Sequence, residues 1–309
     1  MTAPDLVARL RRPPSYTLRQ TVRFNRLGGK DPTRSIEDRT AILTTRTEEG
    51  PATVRVKDTG ETLDVEAWGP GAASALDRTP GWLGLLDDPT ALRTDHPIVA
   101  ALAAAHPGLR LARAPMVVET LVPIVLQQKV TFVEAARAWR ILCLRFGDEA
   151  PGPFGLRLAP TWRTLATLSP WAYRNAGVHR AQAMTVRGIA ERAPRLEQTR
   201  AMDPEDAVAR LRAFPGIGWW TAQMFLGFGL GHPDAVPVGD IHMPHTVAWA
   251  LAGEPRATDA RMLELLEPWH GQRWRVLRLI FASGIAAPRR GPRFAPRPLP
   301  PGARAWLRR

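Results

Sequence analysis

Tyr16, Leu18, Val22 and Phe24 alternate with Thr17, Arg19, Thr21 and Arg23, the period-two pattern of a strand with one buried face. Val54 and Val56 then lead through Asp58-Thr59-Gly60 into Leu63, Val65 and Ala67, which predicts a hairpin turned by a short glycine-containing loop. From about Pro70 onward apolar residues recur at three- and four-residue spacing, broken by Pro and Gly, as in a series of short helices. Asp203-Pro204-Glu205-Asp206 reads as a helix start, with an acid at the N-cap, proline in the first turn and further acids at the positive end of the dipole. Val208, Leu211 and Phe214 give that helix an apolar face, and it stops at Phe214-Pro215-Gly216-Ile217-Gly218. A second amphipathic run begins at once with Trp219-Trp220-Thr221-Ala222. The expected fold class is α+β: a small N-terminal antiparallel sheet over residues 1–95, with short helices, and a mostly helical body over 96–287 carrying a hairpin at 214–220.

Composition adds a partner and a compartment. The formal net charge is +13 on 309 residues, and such a surface attracts phosphates at long range, which points to nucleic acid. The lysines are only Lys30, Lys57 and Lys129, so the charge is carried by arginine, a skew that a GC-rich genome also produces. Residues 288–309 hold seven arginines, six prolines and no acid, and are expected to form a mobile basic tail, kept for solubility or for tethering to DNA. The single cysteine, Cys143, lies in an apolar run and reads as a small buried hydrophobe, so no disulfide framework or cysteine-based metal site is expected. No apolar run reaches membrane-spanning length and no signal segment opens the chain, which predicts a soluble cytoplasmic protein, nucleoid-associated if it binds DNA.

The two hairpin glycines let backbone approach a phosphate, and the unpaired N–H groups that open the second helix suit an anion. Such a turn grips DNA without reading its sequence. Some fifteen residues later comes Val236-Pro237-Val238-Gly239-Asp240-Ile241-His242-Met243-Pro244-His245. The hairpin and this Gly/Pro-rich loop with its aspartate together resemble the helix-hairpin-helix (HhH-GPD) DNA glycosylase superfamily. Phe-Pro-Gly-Ile-Gly followed by an aromatic and Thr-Ala is most similar to the AlkA-type branch, the 3-methyladenine DNA glycosylase II family. Leu121 to Thr131 is similar to the family's segment that pushes a side chain into the gap left by a flipped base, with Gln128 and Lys129 at the tip. The family often has a bulky apolar wedge there, so Lys129 is a departure. Gly177 to Arg187 is similar to the helix that carries basic residues before the hairpin.

The resemblance implies a two-lobed helical body, a monomer acting on duplex DNA with damaged bases, no cofactor, and Asp240 as the catalytic carboxylate. It implies DNA contacts from Gly216, Ile217, Gly218, Thr221, Gln128, Lys129, His242 and His245. A fixed carboxylate stabilises the positive sugar formed as the base departs and can orient the attacking water. Strand-cutting members carry a lysine two residues past the second hairpin glycine, where this chain has Trp220, so water should attack and leave an intact abasic site. Alkylated purines such as 3-methyladenine are cationic and are drawn to indole faces, which makes Trp220, ahead of Trp219, the expected base-stacking residue, with the Trp269 to Phe281 stretch lining the far side of the pocket. Three alternatives stay open. Asp240-x-His242-x-x-His245 is a possible metal site, although a lone triplet lacks a second ligand cluster. The chain could be a non-catalytic binding module in which Asp240 merely caps a helix. The Val-Pro-Val…Asp-x-His-Met-x-His wording also resembles the 8-oxoguanine branch.

Overall fold

A computed structural model describes residues 3–288 and 295–307 of the protein. Five strands, β1 (Leu6–Arg11), β2 (Arg34–Ile36), β3 (Thr40–Thr47), β4 (Gly50–Asp58) and β5 (Thr62–Trp68), form one antiparallel sheet in the order β1-β5-β4-β3-β2. The β4–β5 hairpin pairs Asp58 with Leu63, and Gly60 supplies the positive φ of +101° that its turn needs. Ala52, Val54, Val56, Leu63, Val65 and Ala67 are all buried on one face, covered by α1 (Leu18–Val22) and α2 (Ala72–Trp82).

The strand positions at this end differ from the sequence expectation, which named neither β2 nor β3. Residues 16–24 are not a strand: Leu18 and Val22 are four apart as well as even-spaced, and both are fully buried on one side of the short helix α1, which a 3₁₀ turn over Arg23–Asn25 extends. Conversely, β1 forms at the exposed edge of the sheet, paired with β5 through its backbone and an Arg9–Asp64 ion pair, with Ala8 and Leu10 only partly buried against the sheet core.

The rest is helical: α3 (Pro97–Ala105), α4 (Val118–Leu126), α5 (Phe132–Phe146), α6 (Trp162–Thr167), α7 (Pro170–Asn175), α8 (Arg180–Glu191), α9 (Ala193–Glu197), α10 (Pro204–Arg212), α11 (Trp219–Leu230), α12 (Met243–Ala252), α13 (Asp259–Leu266) and α14 (Arg273–Ser283). Their apolar faces meet in a second, larger core that includes Leu121, Trp139, Leu142, Phe225, Val247 and Trp274, and Cys143 is buried there as a free thiol. Specific polar contacts tie this core to the sheet and to the connection that follows α2. Glu119, in the first turn of α4, accepts from Thr45 Oγ1 at 2.7 Å and from Arg46 N at 2.8 Å. Asp87 and Arg275, both almost wholly buried, form a bidentate pair at 2.7 and 2.9 Å, an arrangement that fixes register because neither charge tolerates loss of its partner.

The tail does not hang free where it is described. Ala303 is buried, and Leu299, Trp306 and Leu307 pack onto the helical core. Arg137 and Arg145 of α5 donate to the carbonyls of Arg297 and Ala305. Apolar side chains spaced among the prolines outweigh the charge that suggested a mobile segment. Residues 289–294 and 308–309, the remainder of that expectation, lie outside the described residues. Among the described residues no helix is long and apolar enough to cross a membrane.

Candidate active site

The α10–α11 hairpin forms as its sequence dictates. Pro204 occupies the first turn with Glu205 and Asp206 beside it, although the Asp203 side chain makes no capping hydrogen bond. Phe214 and Ile217 are buried and anchor the turn. Gly216 has φ +85°, and a methyl group there would stand 1.9 Å from Thr185 Oγ1 of α8, so only glycine fits. Gly218 precedes α11 with an ordinary φ of −89° and open space around it. The turn is therefore pressed onto α8 through Gly216 and bare toward solvent at Gly218.

Gln128 joins the two segments that the sequence singled out. Its Nε2 donates to Gly216 O at 2.9 Å and to Thr221 Oγ1 at 2.8 Å, which locks the end of α4 onto the hairpin and commits Thr221 inward. Gln182 of α8 donates to the carbonyls of Leu126 and Gln128, and holds the same turn from the other side. Lys129 is exposed, with an uncommon φ of +55°, at the tip of this braced turn. Thr131 and Glu134 form a reciprocal capping box that starts α5 immediately afterwards.

Asp240 lies between α11 and α12. Its Oδ1 accepts from the backbone N–H groups of His242 at 2.8 Å and Met243 at 2.9 Å, at the N-terminus of α12. Its Oδ2 accepts from the indole Nε1 of Trp220 at 2.9 Å. Three donors from two helices thus fix the plane of a partly exposed carboxylate. Gly239, with φ +91°, bends the chain ahead of it and donates its N–H to Asp259. His242 is exposed next to Asp240, whereas His245 turns its Nδ1 to accept from Ala257 N, on the connection to α13. Among the described residues there is no cluster of three or more His, Cys, Asp or Glu that could hold a metal ion.

The neighbouring tryptophans part company. Trp219 is 51% exposed under the Arg212 guanidinium, 4.1 Å from its ring centre, and borders an open groove of about 1100 Å³ beside the start of α10. Trp220 is half-buried on the other side of α11, and the positions one and two turns on, Met224 and Phe228, line a cavity of about 500 Å³. Phe24, Pro123, Gln127 and Phe132 contribute to its walls, so the cavity lies where the N-terminal unit meets α4, α5 and α11. Glu119 and Arg34 reach it too, and burial pushes the Glu119 carboxyl up to about 7 despite Thr45, Arg46 and Arg34. The Trp269 to Phe281 stretch does not line this cavity. Trp274 is fully buried edge-on to Phe228, and Trp269 packs against His96. Residues behind the wall nevertheless matter: the Arg278 guanidinium lies over Phe24 at 4.5 Å and Phe228 at 5.4 Å. Met224 and Phe228 were readable from Trp220 at helical spacing; Phe24, Glu119 and Arg278 had no local signal.

No protein-family model matches the chain. Over 185 residues the chain is 29% identical to DNA-3-methyladenine glycosylase 2 of Escherichia coli, a match covering 59% of this chain and 64% of that relative, less than two thirds of its length. The fold resembles that of the 3-methyladenine DNA glycosylase from Archaeoglobus fulgidus, with a TM-score of 0.74 at 21% identity over 89% of this chain and 97% of that one. It also resembles MBOgg1, solved with a low-affinity DNA ligand, with a TM-score of 0.71 at 16% identity over 90% of this chain and 95% of that one. The likeness to AlkA-type helix-hairpin-helix glycosylases, first read from the hairpin and its following aspartate, therefore holds in sequence and in fold, and the fold is α+β as expected.

Proposed function

We propose that this chain is a monofunctional DNA glycosylase that flips a damaged base, of the alkylated purine class, out of duplex DNA and hydrolyses its N-glycosidic bond. The observation that carries the reading is the carboxylate of Asp240, held by two α12 N–H groups and the Trp220 indole beside a hairpin whose Gly218 end is open to solvent. In this reading the backbone of the Gly216 to Gly218 turn takes a phosphate, and Lys129, on its braced turn, enters the gap left by the base. The extruded base enters the cavity along the Trp220, Met224 and Phe228 side of α11. As the C1′–N bond breaks, its electron pair leaves with the base, Asp240 stabilises the positive sugar, and water adds its oxygen to C1′ as its proton passes to the Asp240 carboxylate. Trp220, at the position where strand-cutting relatives are expected to have lysine, offers no amine, so the product is an intact abasic site.

The same proposal takes residues 1–95 as the sheet unit and 96–287 as the glycosylase body, and the protein as a cytoplasmic, nucleoid-associated monomer. The name of the Escherichia coli relative supports alkylated purines as substrates. The deciding experiment compares wild type with Asp240→Asn on duplexes bearing 3-methyladenine, 7-methylguanine, hypoxanthine, uracil or 8-oxoguanine, scored for free base and alkali-dependent breaks. Base release should drop by about a hundredfold or more, while duplex binding is kept or strengthened because a negative charge near phosphates is gone. Unchanged release by the variant removes the role given to Asp240, and absence of release from every duplex by wild type favours a binding module. Release of 8-oxoguanine alone favours the 8-oxoguanine reading, and activity lost in chelator would favour a metal at His242 and His245.

A further inference from the structure

The cavity beside α11 has an unusual electrostatic lining for an acceptor of cationic bases. Arg19, Arg23, Arg26 and Arg34 border it, against a single bordering carboxylate among the described residues, Glu119. Some of this charge is answered: Arg19 pairs with exposed Asp38 at 2.7 Å, and Arg34 donates to the Asn25 carbonyl and lies near Asp31 and Glu119. Behind the aromatic wall sits a further cation. Arg278 is 1% exposed, its Nε and Nη2 have no hydrogen-bond partner among the described residues, and its guanidinium lies against both Phe24 and Phe228. Burial, with Arg23 nearby, pushes it down to about 9, which leaves it charged at neutral pH. Arg23 lies over Phe24 as well, at 4.5 Å. The rings that would attract a cationic base are thus already engaged by arginines, and the surrounding field is positive.

Within the alkylated purines of the proposed function, we infer that this cavity selects electroneutral adducts, such as an etheno purine, over cationic N-methylpurines, with Arg26 and Arg278 as specificity-determining residues and hypoxanthine as an electroneutral probe. The inference rests on the cavity being the base acceptor of the proposed glycosylase. Its chemistry follows from the fate of the leaving group. A cationic base departs neutral and gains nothing from positive neighbours. An electroneutral base takes the electron pair of the broken C1′–N bond and departs as an anion, which the arginines stabilise until it takes a proton from water; water oxygen meanwhile adds to C1′ and releases the balancing proton.

The test is single-turnover release of hypoxanthine and of 7-methylguanine from otherwise identical duplexes by wild type, Arg26→Gln and Arg278→Met. Comparing each variant with wild type on the same duplex cancels the intrinsic ease of leaving. Each substitution should raise 7-methylguanine release relative to hypoxanthine release by about tenfold, the scale of one partly screened charge interaction. Arg278→Met removes a buried charge whose Nε and Nη2 have no hydrogen-bond partner among the described residues, and should fold; should it not, Arg26→Gln at a half-buried position decides alone. A ratio that stays put, or moves toward hypoxanthine, in an active enzyme overturns the inference and leaves the glycosylase reading intact. Release of neither base, nor of any other in the wider set, by wild type removes both.

Discussion

At position 119 a carboxylate joins the sheet to the helical body and pays for that place in protonation. Both oxygens are engaged, by Thr45 and by the Arg46 backbone, yet burial outweighs these contacts and raises the group from 4.5 to about 7. A folded chain therefore holds this proton more tightly than an unfolded one. The resulting stability is complete below about pH 4.5 and is lost as pH rises through about 7. Thermal or urea unfolding between pH 5 and 8 should show this as a decline on the order of 1–3 kcal/mol. Glu119→Gln, which keeps the shape and both contacts in modified form, should flatten that decline. Parallel pH profiles for the two chains would show that Glu119 ionises in the fold as it does in an unfolded chain.

At the level of elements, the hairpin separates two jobs that its glycines share. Gly216→Ala forces a methyl group onto Thr185 at a positive φ, and should cost about 2 kcal/mol or more in unfolding experiments. Gly218→Ala meets open space at an ordinary φ, and should cost less than about 1 kcal/mol as a lost helix-start glycine. If the turn accepts a phosphate, the second variant should nonetheless weaken duplex binding, since the methyl group intrudes where backbone must approach. Full binding by a stable Gly218→Ala protein would remove the phosphate grip from the model of function. This hairpin was legible in the sequence because glycine and proline act locally. Residues 16–24 were misread because Leu18 and Val22 satisfy period two and a four-residue step alike in so short a run. Strand β1 was missed since its period-two residues Leu6, Ala8 and Leu10 are exposed or only partly buried at the sheet edge and stand among Val7 and two arginines, which leaves a weak alternation.

Across the whole molecule, legibility falls with sequence separation. Asp240 stood out through its neighbours in the chain, but the cavity's walls come from residues as distant as Phe24, Gln127 and Phe228, and only the tertiary fold brings them together. The tail is a second case, since a composition that reads as mobile conceals a docking strap. Arg297 N donates to Glu134 Oε1 at 3.0 Å, and Arg137 donates to the Arg297 carbonyl, so the strap crosses the start of α5 just after the Lys129 turn. Farther on, Trp306 meets Phe146 and Trp171 edge-on, each at 5.9 Å between ring centres. Aromatic contacts of this kind add to the apolar area covered, so Trp306→Ala should lower stability by about 1–2 kcal/mol. A chain ending at residue 294 also loses Leu299, Ala303, Leu307 and the hydrogen bonds at Arg297 and Ala305, so it should be destabilised by at least as much as Trp306→Ala. A truncated chain as stable as the full one would mean that the strap is undocked in solution and that its arginines serve only in the wider electrostatic field around DNA.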